Sequence, residues 1–277
     1  MAKRRLTTRG LRARYRRCKV DAQLRPVLVT SISAYFDHVS SYISVTGTSV
    51  PFWFRGHASL TYKLVPSALR YSRRADREKA LALLADFRRF ATFRLAHRPS
   101  EGNPLEWMGI AQHYGVPTRL MDWTVNPAAA LYFACSGSPK EDGLVAVLNP
   151  LELNARVAKR NPRVFDPQTD ARIVAGYLRL DGQERRVKGK ATIAIAPTFN
   201  SERIVLQRGA FTLHGSHRFE LDRKQAATLS YIPILKDYKQ LLLNQLERIG
   251  VDEMSLFPEP EHVARQLKRS SGLLEVK

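Results

Sequence analysis

The apolar positions of the chain come in short segments whose spacing alternates between helical and extended. From Ser31 onward, Ile32, Tyr35, Phe36, Val39 and Ile43 recur at steps of three and four, which predicts a helix capped by Ser31. Residues 51–56, PFWFRG, form an apolar run that predicts a short buried strand ending in Arg55 and Gly56. Across 76–98, Ala80, Leu84, Phe87, Ala91 and Leu95 fall on one face, supplemented by Leu83 and Phe90, so an amphipathic helix with Asp76 at its cap is expected. A short helix over 105–114 leads into a turn at Gly115. Asn126 and Pro127 make a strong helix start, since Asn caps free N–H groups and Pro suits the first helical position; the apolar run behind them stops at Gly137. Strands follow at 143–149 and 192–197, then strand, turn and strand over 203–213 with Gly209 at the bend, and another strand at 227–235. A helix over 237–249 ended by Gly250 and a last helix reaching Lys268 complete the pattern. The irregular alternation, with late strands that read as antiparallel, predicts an α+β fold: a mixed, largely antiparallel sheet with flanking helices.

Residues 1–26 read as a basic arm, 27–268 as one α+β domain and 269–277 as a tail. Within the domain, 150–190 is less regular and reads as an insertion or lid. At 277 residues and 44% hydrophobic, the chain can bury a core. Its 45 Lys and Arg against 25 Asp and Glu give a net charge of +20, a balance that favours polyanions, nucleic acid first. Arg4, Arg5, Arg12, Arg14, Arg16 and Arg17 crowd the arm and are candidate phosphate contacts, each able to release a counterion. The arm lacks the apolar stretch of a secretory signal, although its composition also imitates a transit peptide. No segment is long and apolar enough to span a membrane, so no membrane partner is expected. Cys18 and Cys135 make no disulfide framework, which fits a cytoplasmic protein.

Candidate chemistry concentrates in 105–135, LEWMGIAQHYGVPTRLMDWTVNPAAALYFAC. With a turn at Gly115 and a helix start at Asn126, the residues Gln112, His113, Tyr114, Arg119 and Asp122 converge on one pocket wall, or else on a hydrogen-bonded packing junction. Arg55 needs a partner at the end of an apolar strand: a phosphate or carboxylate that suits its planar fork, or an ion pair with Asp122 or Glu106. Gln207 and Arg208, beside Gly209, are within reach of a cleft. His214 and His217 have no third ligand nearby, so no metal is expected. Phosphate-loop, dinucleotide, zincin and hydrolase motifs do not occur.

These same residues resemble a known family. Trp53-Phe54-Arg55-Gly56-His57 with Tyr62-Lys63-Leu64-Val65-Pro66-Ser67 looks like the opening of the FRG domain, and Ala111 to Pro127 (AQHYGVPTRLMDWTVNP) is similar to its central signature. Arg203-Ile204, Gln207, Gly209 and Phe211, and the segment from Gly250 to Pro258, resemble its later motifs. A more distant resemblance is to ADP-ribosyltransferases, which implies NAD as cofactor and an ADP-ribosyltransferase-like core. Arg55 stands where their first-strand Arg would be, and Asp122-Trp123-Thr124 where their Ser-Thr-Ser strand would be. Ala129 to Ala134 is similar to their following helix, and 203–209 to their third strand. Glu202 falls one residue out of phase with their catalytic Glu, and a slip of one turns a strand residue to the other face. Either Glu202 reaches the site through a bulge, or Gln207 or Asp122 substitutes for it, or the fold is inactive as a transferase.

Two functions from different classes follow. The first is an NAD-using, ADP-ribosyltransferase-like effector or toxin, of the phage-defence kind, acting on nucleic acid or an associated target. In it Arg55 and Gly56 hold the pyrophosphate, Thr124 orders the ribose, Trp123 or Tyr132 stacks on a ring, and Asp122 or Glu202 stabilises the transition state. The second is a non-catalytic nucleic-acid-binding module, with Arg55, Gln112 and Arg119 as contacts and Tyr114 or Trp123 as a stacking platform. A weaker third is a metal-independent nuclease pairing His113 with Asp122. Arg55, Thr124 and a carboxylate lining one cleft favour the transferase; an open basic groove favours the binding module.

Overall fold

The computed structural model describes residues 28–46, 51–95, 98–100, 102–178, 191–197, 201–215 and 228–271. The six arginines of the basic arm, Cys18, His217, residues 179–190 of the expected insertion and the end of the tail lie outside them. In chain order the elements are α1 (Ile32–Thr46), β1 (Trp53–His57), α2 (Arg74–Ala91), α3 (Pro104–His113), β2 (Leu120–Thr124), α4 (Pro127–Cys135), β3 (Gly143–Leu148), α5 (Pro150–Ala155), α6 (Ala171–Ala175), β4 (Ile193–Ile195), α7 (Glu202–Leu206), β5 (Gly209–Leu213), β6 (Leu229–Ile234), α8 (Lys236–Arg248), α9 (Glu253–Leu256) and α10 (Pro260–Ser270). Mixed helix and strand, with every neighbouring strand pair antiparallel, is the α+β architecture expected. Among the described residues no helix is long and apolar enough to cross a membrane.

Local chemistry fixes the helix starts. Ser31 caps α1 through Ala34 N–H at 3.2 Å, and Asn126 caps α4 through Ala128 N–H at 3.0 Å. Asn103-Pro104 and Asn149-Pro150 repeat the second device at α3 and α5, so three helices start on an Asn-Pro pair.

The strand order is β4-β5-β2-β1-β3-β6. Pairing is extensive within each half: β2 follows β5 from Leu120↔Leu213 to Thr124↔Gly209, and β1 follows β3 from Trp53↔Leu148 to His57↔Leu144. Between the halves, β1 and β2 share one register pair, Phe54↔Thr124. The sheet therefore consists of two three-stranded halves joined at a single point. Its faces are packed separately. Val145, Val147, Ile232 and Ile234 meet α4 and the apolar sides of α1 and α8. Leu144, Ala146, Leu148 and Tyr231 pack with Trp53, Met121 and Trp123 on the other face. Beyond the join, Leu120, Phe211 and Leu213 carry a third cluster with α2, α3 and α6.

The contact between α4 and β1 is made at Gly56. A Cβ there would stand 2.0 Å from the Ala130 carbonyl oxygen and 2.6 Å from the Ala134 amide nitrogen. The glycine after Arg55 thus lets the helix backbone rest directly on the strand.

Several expectations are corrected. Residues 203–206 are not a strand: Ser201 accepts from Ile204 N–H and starts the short helix α7, because a Ser at an N-cap offers the free N–H groups a partner. The positive φ of the following bend, 47°, lies at Arg208 and not at Gly209. The amphipathic helix α2 stops at Ala91, with Asp76 in its first turn and Arg73 at its cap. Leu83 and Phe90 project outward, as does Ile249 after α8. The described part of the 150–190 segment is built into the core: Leu153, Phe165, Val174 and Tyr177 are buried. Asn154 ties it to β4, accepting from Ala194 N–H at 2.8 Å and donating to the Ala194 and Arg163 carbonyls at 2.7 Å each.

Substituting Gly56→Ala is expected to destabilise the domain by about 3 kcal/mol or more, since both clashing partners are backbone atoms that cannot rotate away. Urea unfolding of wild type and variant measures it; a loss under about 0.5 kcal/mol, the size of an ordinary surface change, would contradict this packing.

Candidate functional site

Where β1 and β2 part, backbone groups that a continuous sheet would pair are left to other partners. Arg55 sits in the middle of β1, on the same face as His57, and spans this gap. Its Nη1 donates to the Asp122 carbonyl of β2 at 2.5 Å and its Nε to His57 Nε2 at 3.1 Å. The Asp122 carboxylate is 3.9 Å from the same guanidinium. Burial works to lower the Arg55 pKa and Asp122 works against it, and the guanidinium keeps its charge. Of the two ion-pair partners considered for Arg55, Asp122 is the one found; Glu106 bonds Asn103 at the start of α3.

Because β2 alternates, Met121 and Trp123 enter the core while the Asp122 carboxylate remains 60% exposed. Gln112 of α3 holds it, donating from Nε2 to Oδ1 at 2.5 Å. The Thr118 hydroxyl donates in turn to Gln112 Oε1, which fixes the amide with its NH2 toward the carboxylate. The result is a chain, Thr118 to Gln112 to Asp122, ending on a carboxylate that faces a cavity.

That cavity has a volume of about 260 Å³ and opens at the join of the two half-sheets. Arg55, Gln112, His113, Asp122 and Arg203 supply its polar wall, and Phe54, Phe133 and Phe211 its apolar one. His113 Nε2 and Arg203 Nη1 lie 3.8 and 3.9 Å from a Glu259 carboxylate oxygen. The guanidinium of Arg203 also stacks over Phe257 at 4.6 Å.

Of the residues picked out from sequence, Arg55, Gly56, Gln112, His113, Asp122, Trp123, Thr124 and Gln207 line the cavity. Others have different work. The Arg119 guanidinium is buried and donates to the Tyr177 carbonyl at 2.6 Å. Tyr132, on α4, is turned into the core, and Tyr114 is exposed outside the cavity lining. Trp123 touches the cavity, but its indole N–H is used by Thr212 at 3.0 Å and its ring packs in the core, so it offers no face for stacking. The Thr124 hydroxyl donates to the Gln207 carbonyl at 2.5 Å and accepts from Asn126 N–H at 2.9 Å, which joins β2, α7 and α4. Gln207 donates to the Leu256 carbonyl at 3.0 Å. Glu202 is exposed in the first turn of α7, outside the cavity, because that segment is a helix. His113 has Glu259, and not Asp122, as its carboxylate neighbour. His214 lies buried between the Thr212 and Thr192 hydroxyls. Cys135 is a buried thiol whose pKa burial pushes up to about 12, consistent with an inert core residue.

Sequence reasoning missed Arg203 and Glu259 as members of the site, along with Phe54, Gly109, Phe133 and Phe211. Gly109 carried a signal: it precedes Gln112 and His113 by three and four residues, so all three share one helix face. Glu259 carried none, since it reaches the site only through the tertiary docking of α9 and α10.

The FRG domain model matches residues 50–143, the stretch that holds Arg55, Gln112, His113, Asp122 and Thr124. No curated protein and no solved structure matches the chain.

Two buried histidines among the described residues, His57 and His214, give the fold a pH dependence. Burial first, then nearby arginines, hold both His57 and His214 down at about 3, against an ordinary value of 6.5. The unfolded chain therefore binds more protons than the folded one between these values, and stability falls as pH drops through that window. The slope reaches about 1.4 kcal/mol per pH unit for each histidine. Urea midpoints at pH 7 and pH 5 are expected to differ accordingly, with a smaller difference in His214→Asn; equal midpoints in the wild type would contradict neutral buried imidazoles.

Proposed function

From the premise that this chain carries an FRG domain over residues 50–143, we propose that it is an ADP-ribosyltransferase-like enzyme, using NAD and acting on nucleic acid or a nucleic-acid-associated target. The observation that supports this most is the meeting of Arg55 and the Asp122 carboxylate in one cavity whose lining also holds Phe54, Phe133 and Phe211. NAD supplies a glycosidic bond between ribose C1′ and the nicotinamide nitrogen. That bond breaks with its electron pair leaving on nicotinamide, while an acceptor heteroatom bonds to C1′ and its proton passes to a base.

The residues present fit such a substrate. The Arg55 fork suits a pyrophosphate oxygen pair. Phe54, Phe133 and Phe211 give an aromatic pyridinium an apolar, water-poor wall. Asp122, aimed by Gln112 and Thr118, puts fixed negative charge beside the position where positive charge develops on the sugar. A preorganised group of this kind changes rates by about 10²–10³. At about 260 Å³, the cavity is small beside the ~300–1,000 Å³ of typical ligand pockets. It suits the nicotinamide riboside end, with the remainder of the dinucleotide toward the open mouth.

The competing readings lose ground on the same residues. The binding-module reading needs Arg119 and a stacking ring in the cavity, and Arg119 is spent on the Tyr177 carbonyl while Tyr114 lies outside the lining. The nuclease reading needs Asp122 to orient His113, and Asp122 is engaged by Gln112.

Purified protein incubated with labelled NAD and added DNA, RNA or cell lysate is expected to transfer label. Arg55→Ala and Asp122→Asn should each lower the rate about a hundredfold or more, while Glu202→Gln leaves it unchanged. No NAD consumption with any acceptor, from protein whose circular dichroism is that of a folded domain, would overturn the proposal.

A further inference from the structure

The outer side of α2 carries an aromatic stripe that starts at the edge of the core and runs out into solvent. Phe87, Phe90 and Phe93 follow one another at steps of three, through the last turns of α2 and into the turn beyond it. Phe87 is half-buried against the third apolar cluster, whereas Phe90 is 61% and Phe93 91% exposed. The ring of Phe87 meets Tyr114 with centroids 6.0 Å apart, and Tyr114 meets His113 edge-on at 5.1 Å. Tyr114 is itself exposed, and His113 lines the cavity. The stripe thus runs from the tip of α2 to the cavity mouth.

Cations flank it. The Arg89 guanidinium lies over the Phe90 ring at 4.9 Å while bonding Asp86 at 2.9 Å. Arg94 donates to the Phe90 carbonyl. Large exposed rings set among arginines favour a partner that offers aromatic faces and negative charge together. A second copy of this chain fits poorly, because each copy brings a net charge of +20. Duplex nucleic acid fits poorly as well, because its base faces are already stacked and paired.

We propose that this stripe binds single-stranded nucleic acid. Bases stack on Phe90, Phe93 and Tyr114, Arg89 and Arg94 neutralise phosphates, and the strand is led toward the cavity as the acceptor. Its role as acceptor rests on the transferase reading; the binding does not.

The test uses the full chain, fluorescein-labelled single-stranded DNA and RNA, and a DNA duplex of the same length, read by anisotropy across a salt series. Phe90→Ala/Phe93→Ala is expected to weaken single-strand binding about tenfold or more, leaving duplex binding through the basic arm unchanged. Both side chains are exposed, so its thermal unfolding should match the wild type. Arg89→Gln/Arg94→Gln should reduce the steepness of the salt dependence by about 0.7 for each phosphate that is no longer neutralised. Unchanged single-strand affinity in the phenylalanine variant would overturn the proposal. So would a wild-type dimer in sedimentation that the variant abolishes while strand binding stays intact, which would assign the stripe to self-association. If binding depends on the phenylalanines but no label is transferred from NAD, the surface stands and only its acceptor role falls.

Discussion

The bond from Arg55 to the main-chain carbonyl of Asp122 is the interaction on which the rest of the site depends. Sheet pairing between β1 and β2 is confined to Phe54 and Thr124, and a carbonyl left beside that join would be costly if buried without a donor. A guanidinium closes the gap where a backbone N–H would otherwise stand. A side chain in that position brings what an N–H cannot: a full charge and further donors. The two half-sheets are therefore held together by a group that also faces a ligand-sized space. Gly56 is part of the same arrangement, because α4 must lie against the β1 backbone for Phe133 to reach the cavity wall.

Charge in the cavity is held by neutral neighbours as much as by opposite ones. His57, kept neutral by burial and by arginines, accepts from Arg55 and orients it without adding a second charge. Thr118 and Gln112 aim the Asp122 carboxylate without neutralising it. Arg55 and Asp122 stay 3.9 Å apart, so neither forms the close bidentate pair that would satisfy both. A site arranged this way keeps one positive and one negative group available to a ligand carrying both charges. The Glu259 carboxylate, standing off from His113 and Arg203 at a similar distance, repeats the same pattern behind these two residues of the polar wall.

Much of this was legible in the chain, and the exceptions have physical causes. The helix starts were readable because capping is local: Ser31 and Asn126 act within three residues. Strands such as 143–148 were readable because a run buried on both faces is apolar throughout. Arg55, Gln112 and Asp122 were singled out because polar groups beside apolar runs must have partners. The segment from 203 to 207 was misread because its apolar residues suit a strand as well as a helix, and the Ser201 cap decides between them. Arg119 and Tyr132 look from the sequence like pocket residues, and only the packing of the Tyr177 carbonyl and of the core under α4 shows otherwise. Glu259 lies 204 positions after Arg55, and no local spacing announces a partner that arrives with the last helix.

If the gap bridged by Arg55 is the ligand site of this domain, an NAD analogue should bind there. A crystal structure of the chain soaked with a non-hydrolysable NAD analogue tests it most directly. Density for the nicotinamide riboside end is expected in the cavity beside Asp122, with the Arg55 guanidinium contacting the analogue's phosphates. An analogue bound elsewhere, or a cavity closed by the side chains of His113 and Arg203 at saturating analogue, would contradict it.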